Sequence, residues 1–278
     1  MRLPVALTAL ILLTAPVAPI AAWAANAPVP SPPPELLAHH ALYTLTFNPR
    51  ASGSDQSAGD VVGARGTMGY EVIDACDGWA IRQRLRMTVT NADGQDIQMD
   101  SDYATWESKD GTKFRFHMTQ KTDDAITSQT DGEASLTSPG GTGVARYTRP
   151  REQTKQIPAG TYFPTAHTVA ILDASRAGKK FLAVPLFDGT DENGTQDSSI
   201  AIVDRKAPFA TSFPALTPLP STRVRLAFFD RQPGATTPTY QVGLRYWDNG
   251  VADTMQMDFG DFVMDAKMTE RVAQPKRC

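Results

Sequence analysis

The strongest constraint on the fold of this chain is an alternation of apolar and polar side chains in many short runs. Between Ile81 and Val89, four apolar residues share one set of alternate positions and three arginines share the other. The same period of two recurs in the runs 223–228, 241–246 and 262–268. Because successive side chains of a strand point to opposite faces of a sheet, this period predicts half-buried β-strands. The chain is therefore expected to be mainly β.

Turn residues separate these runs at short intervals. Asn91–Gly94 lies between two predicted strands, Lys109–Gly111 precedes a third, and Asp248–Gly250 contains the Asn-Gly pair that is a strong hairpin signal. The sequence shows no repeat of fixed period and no linker between two domains. Short strands with this spacing predict a meandering antiparallel barrel or sandwich, built as one continuous β domain.

The segment 163–177 breaks the β pattern and has the apolar spacing of a helix. Thr161 is the expected N-cap, Pro164 fits the first turn, and Gly178 fits the C-terminal stop. The residues expected to share the apolar face of this helix are Ala166, Val169, Ala170 and Leu172. The pattern therefore predicts one helix that packs on or inside the sheet.

The first 24 residues are typical of a secretory signal. Arg2 gives a short positive start, an almost wholly apolar run extends to Ile20, and Ala22–Ala24 supplies the small residues of a cleavage site. Three prolines interrupt the run, which disfavours the alternative of a membrane anchor, and no cysteine follows the cleavage site as a lipoprotein would need. Cleavage near Ala24 predicts an exported protein that is periplasmic or secreted.

After the signal, we expect a proline-rich leader at 25–38 and a single β domain at 39–278. Removal of the signal, whose only charged residue is Arg2, changes the formal net charge from −3 to −4. This mildly negative charge does not indicate the positively charged surface that binds nucleic acid, and it provides no polybasic surface for anionic lipid. No stretch after the signal approaches the roughly 18 apolar residues that a membrane span needs.

The chain has two cysteines, Cys76 and Cys278, and Cys278 is the last residue of the sequence. A terminal residue is normally free to fray, whereas disulfides persist in exported proteins. We therefore predict a structural disulfide that fastens the C-terminus near the start of the β domain. A redox pair is disfavoured because C-x-x-C is absent, and a terminal cysteine lacks the burial and nearby base of a nucleophile.

Few residues form a pattern with catalytic or metal-binding chemistry. The sequence contains no G-x-S-x-G, H-E-x-x-H, S-x-x-K or P-loop motif, so we predict no catalytic residue and no cofactor. His39 and His40 are adjacent, so on a strand they would point to opposite faces, one packed and one solvated. The close spacing of ligands that is typical of zinc sites is absent from the sequence. The acidic segment 188–194 lacks the register of a calcium loop and predicts a solvated turn. A hydrolase would need two carboxylates oriented as an acid and a base, and nothing in the sequence orients Asp258, Asp261 and Asp265 in this way.

The segment Tyr70–Trp79, which ends in Cys-Asp-Gly-Trp, resembles the signature of the EipB family of cell-envelope integrity proteins. His39–Tyr43 is similar to the opening strand of that family, and Phe187–Gly189 to the turn after its helix and strand. The remaining similar segments are Asp248–Val251, Asp258–Phe262 and the terminal Cys278. The resemblance covers nearly all of the predicted β domain.

The resemblance implies a β-spiral or broken barrel of about fourteen antiparallel strands, one disulfide at Cys76 and Cys278, and a periplasmic location. It also implies a role in maintaining the cell envelope, with no known reaction, and a link to a tetratricopeptide-repeat periplasmic protein. We therefore expect a protein that is not an enzyme and that acts by binding an envelope partner.

A second hypothesis is a periplasmic carrier of lipid or another apolar ligand, because a half-open barrel over a helix is a natural apolar container. The methionines that would give an adaptable lining are Met255, Met257, Met264 and Met268. Their alternation is also what the inward face of an ordinary hairpin requires, and the pattern favours that interpretation.

Overall fold

Fourteen antiparallel strands form one continuous sheet in the computed structural model, which describes residues 35–52, 61–232 and 234–275. The strands are β1 His39–Phe47, β2 Val61–Asp74, β3 Gly78–Asn91, β4 Asp96–Ser108, β5 Lys113–Thr122, β6 Ala125–Leu136, β7 Gly143–Arg149, β8 Gln153–Ile157, β9 Phe181–Leu186, β10 Gln196–Lys206, β11 Ser221–Phe229, β12 Tyr240–Trp247, β13 Ala252–Asp258 and β14 Val263–Ala273. One helix, α1 Pro164–Arg176, lies between β8 and β9.

The sheet is a meander that does not close. Its strand order is β8-β7-β6-β5-β4-β3-β2-β1-β14-β13-β12-β11-β10-β9. The first and last strands of the domain, β1 and β14, are therefore paired neighbours in the middle of the sheet. Strands β8 and β9 are the two edges of this sheet. The expected all-β fold, an open barrel of fourteen strands with one helix, is confirmed. The predicted signal peptide and most of the predicted leader lie outside the described residues.

The alternation in the sequence matches the two faces of the sheet. In β3 the side chains of Leu85, Met87 and Val89 are buried, whereas the arginines between and before them are exposed. The inner face of β14 carries buried Met264 and Met268 in the same core cluster. In these strands alternate side chains therefore point to the interior, as the period of two predicts.

Helix α1 packs on the inner face of the strands near the β9 edge. Ile171 and Ala174 share a buried cluster with Ile200 of β10 and Val224 of β11. The packed face shares only Leu172 with the predicted one, because its buried apolar residues are Ile171, Leu172 and Ala174. The predicted residues Ala166, Val169 and Ala170 are only partly buried.

At the ends of α1, the predicted first-turn proline and C-terminal stop are confirmed, whereas the predicted N-cap is not. Pro164 is the first residue of the helix. The C-terminal stop is Gly178, whose φ is +72° and whose N–H donates to the carbonyl of Ser175 at 3.0 Å. The predicted N-cap is wrong, because the N-cap is Phe163 and it makes no side-chain cap bond. Thr161 instead donates its hydroxyl to the carbonyl of Pro158 at 2.7 Å.

The loop Asp188–Gly194 is a second departure from the sequence-based expectation. Its backbone carbonyls accept hydrogen bonds from Tyr103, Thr130 and Tyr147, at 2.5, 2.6 and 3.0 Å. At the far end of the sheet, Gln153 of β8 donates its amide to Glu192 at 3.2 Å. The loop is therefore held against the sheet, with Gly189 and Gly194 buried and only Asn193 exposed. It links the β9 side of the sheet to β4–β8, so the prediction of a solvated turn is wrong.

Gly189 at the centre of this loop is expected to tolerate no side chain. Its φ is +70°, and a Cβ there would lie 2.3 Å from the ring of Phe116. We expect Gly189→Ala to lower the free energy of unfolding by about 2 kcal/mol or more, through backbone strain and overpacking. Gly140→Ala is the control in urea unfolding, because Gly140 has a φ of +68° with no atom near its Cβ position. Equal losses in the two variants would contradict the packing role of Gly189.

Candidate functional site

A cavity of about 280 Å³ opens between strands β1–β3, strands β12–β13 and the first turn of α1. Its walls are mainly aliphatic, methionine and tyrosine side chains. The residues that line it include Leu37, His39, Tyr43, Met68, Tyr70, Val72, Ile81, Val242, Leu244, Tyr246, Met255 and Met257. Of the four methionines considered in the sequence, Met255 and Met257 therefore face the cavity, whereas Met264 and Met268 are ordinary core.

His39 is a deeply buried polar residue on the cavity wall, with 2% of its surface exposed. Its Nδ1 lies 2.7 Å from the carbonyl oxygen of Leu37, and its Nε2 is buried without a hydrogen-bond partner. Burial lowers the pKa of His39, so the ring is neutral at physiological pH. His40 lies on the other face of β1 and is only half-buried, as the strand geometry predicted.

The other two histidines are not among the residues that line this cavity, and both are bonded within the protein. His117 contacts the carboxylate of Asp131, and His167 pairs its Nε2 with the hydroxyl of Ser198 at 2.8 Å. Burial lowers the pKa of His167 to about 4. Across the described part of the chain, no group of three or more His, Cys, Asp or Glu side chains is arranged to hold a metal ion.

A second concave region, the α1 groove, lies beside the β9 edge and has a volume of about 590 Å³. Its floor is the incompletely covered face of α1, formed by Ala166, Val169 and Ala170. The turns at 108–111 and 139–140 and the side chain of Leu182 complete the walls. Three of the four residues predicted for the apolar face of α1 thus line a groove, and only Leu172 is in the core.

Along most of its length the backbone of β9 is paired only with β10, and on its other side it forms one isolated bridge, between Leu186 and Tyr162. The N–H of Ile202 donates to the carbonyl of Lys180 at 2.8 Å, which sets the hydrogen-bonding register between β9 and β10. In an antiparallel pair, alternate residues direct their backbone groups to opposite sides of the strand. Phe181, Ala183 and Pro185 therefore direct their backbone groups away from β10, toward the α1 groove and solvent.

Only part of this edge is covered. Pro185 has no N–H, and its carbonyl accepts a hydrogen bond from the backbone of Tyr162 at 2.9 Å. Phe181 and Ala183 have no such backbone partner within the described ranges, and the Phe181 side chain is 77% exposed. The edge of β9 thus combines unpaired backbone groups, an exposed aromatic ring and an adjacent apolar groove.

Glu107 of β4 connects the sheet to the start of α1. Its carboxylate accepts the backbone N–H groups of Thr165 and Ala166 at 2.7 and 2.9 Å, which satisfies donors that every helix leaves open at its N-terminus. Glu107 is 2% exposed. Burial raises the pKa of Glu107 to about 7, although these two hydrogen bonds act in the opposite direction. No local pattern in the sequence indicates this cap, because it comes from a residue 57 positions before the helix.

The raised pKa of Glu107 predicts a pH-dependent stability. Between the ordinary pKa near 4.5 and about 7, the folded state holds a proton that the unfolded state has lost. The contribution of Glu107 to the free energy of unfolding is therefore most favourable at acid pH. It declines by about 3 kcal/mol in total as the pH rises to about 7. We expect Glu107→Gln to remove this component, so that the difference in unfolding free energy between wild type and variant changes between pH 5 and pH 8. A constant difference in urea titrations would contradict the assignment.

The cysteine pairing predicted from the sequence stays a prediction, because Cys278 lies outside the described residues. Cys76 lies in the tight turn between β2 and β3, with φ at +71°. Of the three aspartates at the β13–β14 hairpin, Asp258 accepts a hydrogen bond from the backbone N–H of Gly260, and Asp265 accepts one from the side-chain amide of Asn48. No helix in the described ranges is both long and apolar enough to cross a membrane.

Comparisons with known proteins agree with the fold. The cell envelope integrity protein EipB of Brucella abortus is 28% identical over 244 residues, which cover 84% of this chain and 83% of that protein. A crystal structure from Brucella abortus, described as a β-barrel-like protein of a domain of unknown function, matches with a TM-score of 0.76 and 27% identity, over 87% of this chain and 99% of that one. The model of the EipB-like family matches residues 30–273, and the chain therefore belongs to the EipB-like family, as the sequence resemblance predicted.

Proposed function

We propose that this protein maintains cell-envelope integrity in the periplasm, without catalysing a reaction, by binding an envelope protein at the open edge of β9. The observation that carries the proposal is the unpaired backbone of Phe181 and Ala183 beside the α1 groove. The relative from Brucella abortus is named for cell envelope integrity, which supports the envelope role. The export signal predicted at 1–24 supports the periplasmic location.

The chemistry of the edge favours an extended segment of a partner protein. A peptide that adds a strand gains main-chain hydrogen bonds, and pockets for alternate side chains give specificity. Beside β9, the small side chains Ala166 and Ala170 leave room for such side chains in the α1 groove. A tetratricopeptide-repeat periplasmic protein, as implied by the family resemblance, or another envelope component would supply the segment.

A photo-crosslinking amino acid at position 181 tests this proposal in the bacterium that produces the protein. We expect a discrete protein adduct from position 181 and none from position 126, where Ile126 is similarly exposed, at 60%, on a different part of the sheet. Ala183→Pro removes the N–H that faces the open side and should abolish the adduct while leaving the β9–β10 pairing intact. An adduct that persists in Ala183→Pro, or no adduct at position 181, would contradict the proposal.

The cavity favours a second candidate function, that of a periplasmic carrier of lipid or another apolar ligand. Its volume of about 280 Å³ is near the lower end of small-molecule pockets, and its wall is mostly apolar. Native mass spectrometry of protein purified from its own periplasm tests this candidate. A reproducible co-purified lipid supports a carrier, whereas clean apo protein from several preparations argues against it.

A further inference from the structure

The wall of the cavity carries a buried hydrogen-bond acceptor that the protein leaves unsatisfied. A carbonyl oxygen can only accept, so the contact between His39 Nδ1 and the oxygen of Leu37 requires the hydrogen on Nδ1. In the neutral ring, Nε2 is then a lone-pair acceptor, and it is buried without a partner at the cavity. A group that donates a hydrogen bond is therefore the natural complement of this end of the cavity.

Arg271 of β14 is not among the residues that line the cavity, but it lies on the same face of the sheet as His39. Burial and, to a smaller extent, the positive charge of Arg271 lower the pKa of His39. Arg271 of β14 pairs directly with Ala41 of β1, and Ala41 is fully buried two residues along the strand from His39. The Nε and Nη1 atoms of Arg271 are buried and make no hydrogen bond. A ligand group that both donates to His39 and accepts from a guanidinium would satisfy the two residues together.

The remainder of the cavity requires an apolar chain. Met68, Val72, Val242 and Leu244 are among the residues that line its volume of about 280 Å³. We propose that the cavity binds a medium-chain fatty acid, with its alkyl chain among these side chains and its carboxyl group at His39 and Arg271. This inference rests on the second candidate function, the carrier, and is independent of the β9 edge.

A carboxylic acid fits the two polar residues better than other lipid ends do. Its O–H donates to Nε2 of His39, and its second oxygen accepts from the guanidinium of Arg271. The same hydrogen bond exists if the proton moves to the imidazole, since an imidazolium and a carboxylate then face each other. An ester has no donor for Nε2, and a quaternary ammonium end would be repelled by Arg271.

Isothermal titration calorimetry with decanoic acid and its methyl ester tests the inference on the delipidated mature protein. Wild-type protein should bind the acid at least about tenfold more tightly than the ester. His39→Asn can keep the bond to Leu37 but places no atom at Nε2, so it should lose about tenfold in affinity for the acid and none for the ester. Arg271→Met, which keeps the apolar stem, should show the same selectivity loss if His39→Asn fails to fold.

A variant that fills the cavity separates this inference from the carrier function. Val242→Phe should abolish binding of both compounds, because Val242 lines the cavity. Equal affinity of wild type for acid and ester would overturn the carboxyl assignment and leave the carrier function standing. Binding of neither compound would overturn the fatty-acid inference, and co-purified lipid of another class would then still support a carrier. Binding that persists in Val242→Phe would overturn the cavity as the site.

Discussion

Replacing Cys76 with serine is expected to lower the free energy of unfolding by about 5 kcal/mol, which is the largest effect of any single change proposed for this chain. The predicted bond to Cys278 would close a loop of about 200 residues, and loop-closure entropy grows with loop length. A loss of this size is comparable with the total stability of an ordinary domain. Urea unfolding of the oxidised proteins gives the measurement.

Serine is a suitable replacement because the turn around Cys76 has its own hydrogen bonds. The N–H of Cys76 donates to the carboxylate of Asp74 at 3.0 Å, and the N–H of Lys109 donates to the carbonyl of Asp77 at 2.9 Å. Asp77→Ser in the same turn is the control and should cost less than about 1 kcal/mol. Cys278→Ser and the double variant should each equal Cys76→Ser, since either change removes the same bond. Additive losses in the double variant, or melting of Cys76→Ser within a degree of wild type, would contradict the pairing.

The local patterns of the sequence were sufficient to predict most strands. The alternation of Ile81 to Val89 became the inner and outer faces of β3, and Asp248–Gly250 became the turn between β12 and β13. These features depend on side-chain period and turn residues, which are local properties of the chain. The number of strands and the open edges came from the family resemblance instead.

The features that the sequence did not predict depend on contacts between distant residues. Glu107 supplies the cap of α1 from β4, and three carbonyls of the loop Asp188–Gly194 find their donors on β4, β6 and β7. An Asp- and Gly-rich segment is typical of solvated turns unless distant side chains bury it. No local pattern distinguishes the two cases.

The two candidate binding sites show the same limit. The apolar spacing of Ala166, Val169 and Ala170 was correctly recognised, but whether that face meets the core or lines a groove depends on the strands around it. The sequence predicted that one of His39 and His40 would be packed, and His39 is. The contact between Nδ1 of His39 and the carbonyl of Leu37 leaves Nε2 as an acceptor, and this Nε2 has no partner. No pattern of residue spacing predicts that contact.

Phe187→Ala is expected to lower the free energy of unfolding by about 4 kcal/mol, the typical cost of removing a fully buried phenylalanine ring. Four aromatic rings surround Phe187, with ring centroids 5.6–6.2 Å away. They belong to Phe114, Phe116, Tyr147 and Phe163. Phe181→Ala, six residues earlier in the chain, is the control and should change stability by less than about 0.5 kcal/mol because its ring is exposed.

The position of the destabilisation distinguishes this role from a general loss of core volume. Phe187 immediately precedes the loop that accepts hydrogen bonds from Tyr103, Thr130 and Tyr147, so its removal should loosen the link between that loop and β4–β7. Hydrogen exchange under native conditions should therefore become faster in β5–β7 than in β13 and β14, which belong to a separate buried cluster. Uniformly faster exchange in all strands would show that Phe187 supports the whole sheet and does not act mainly through the loop.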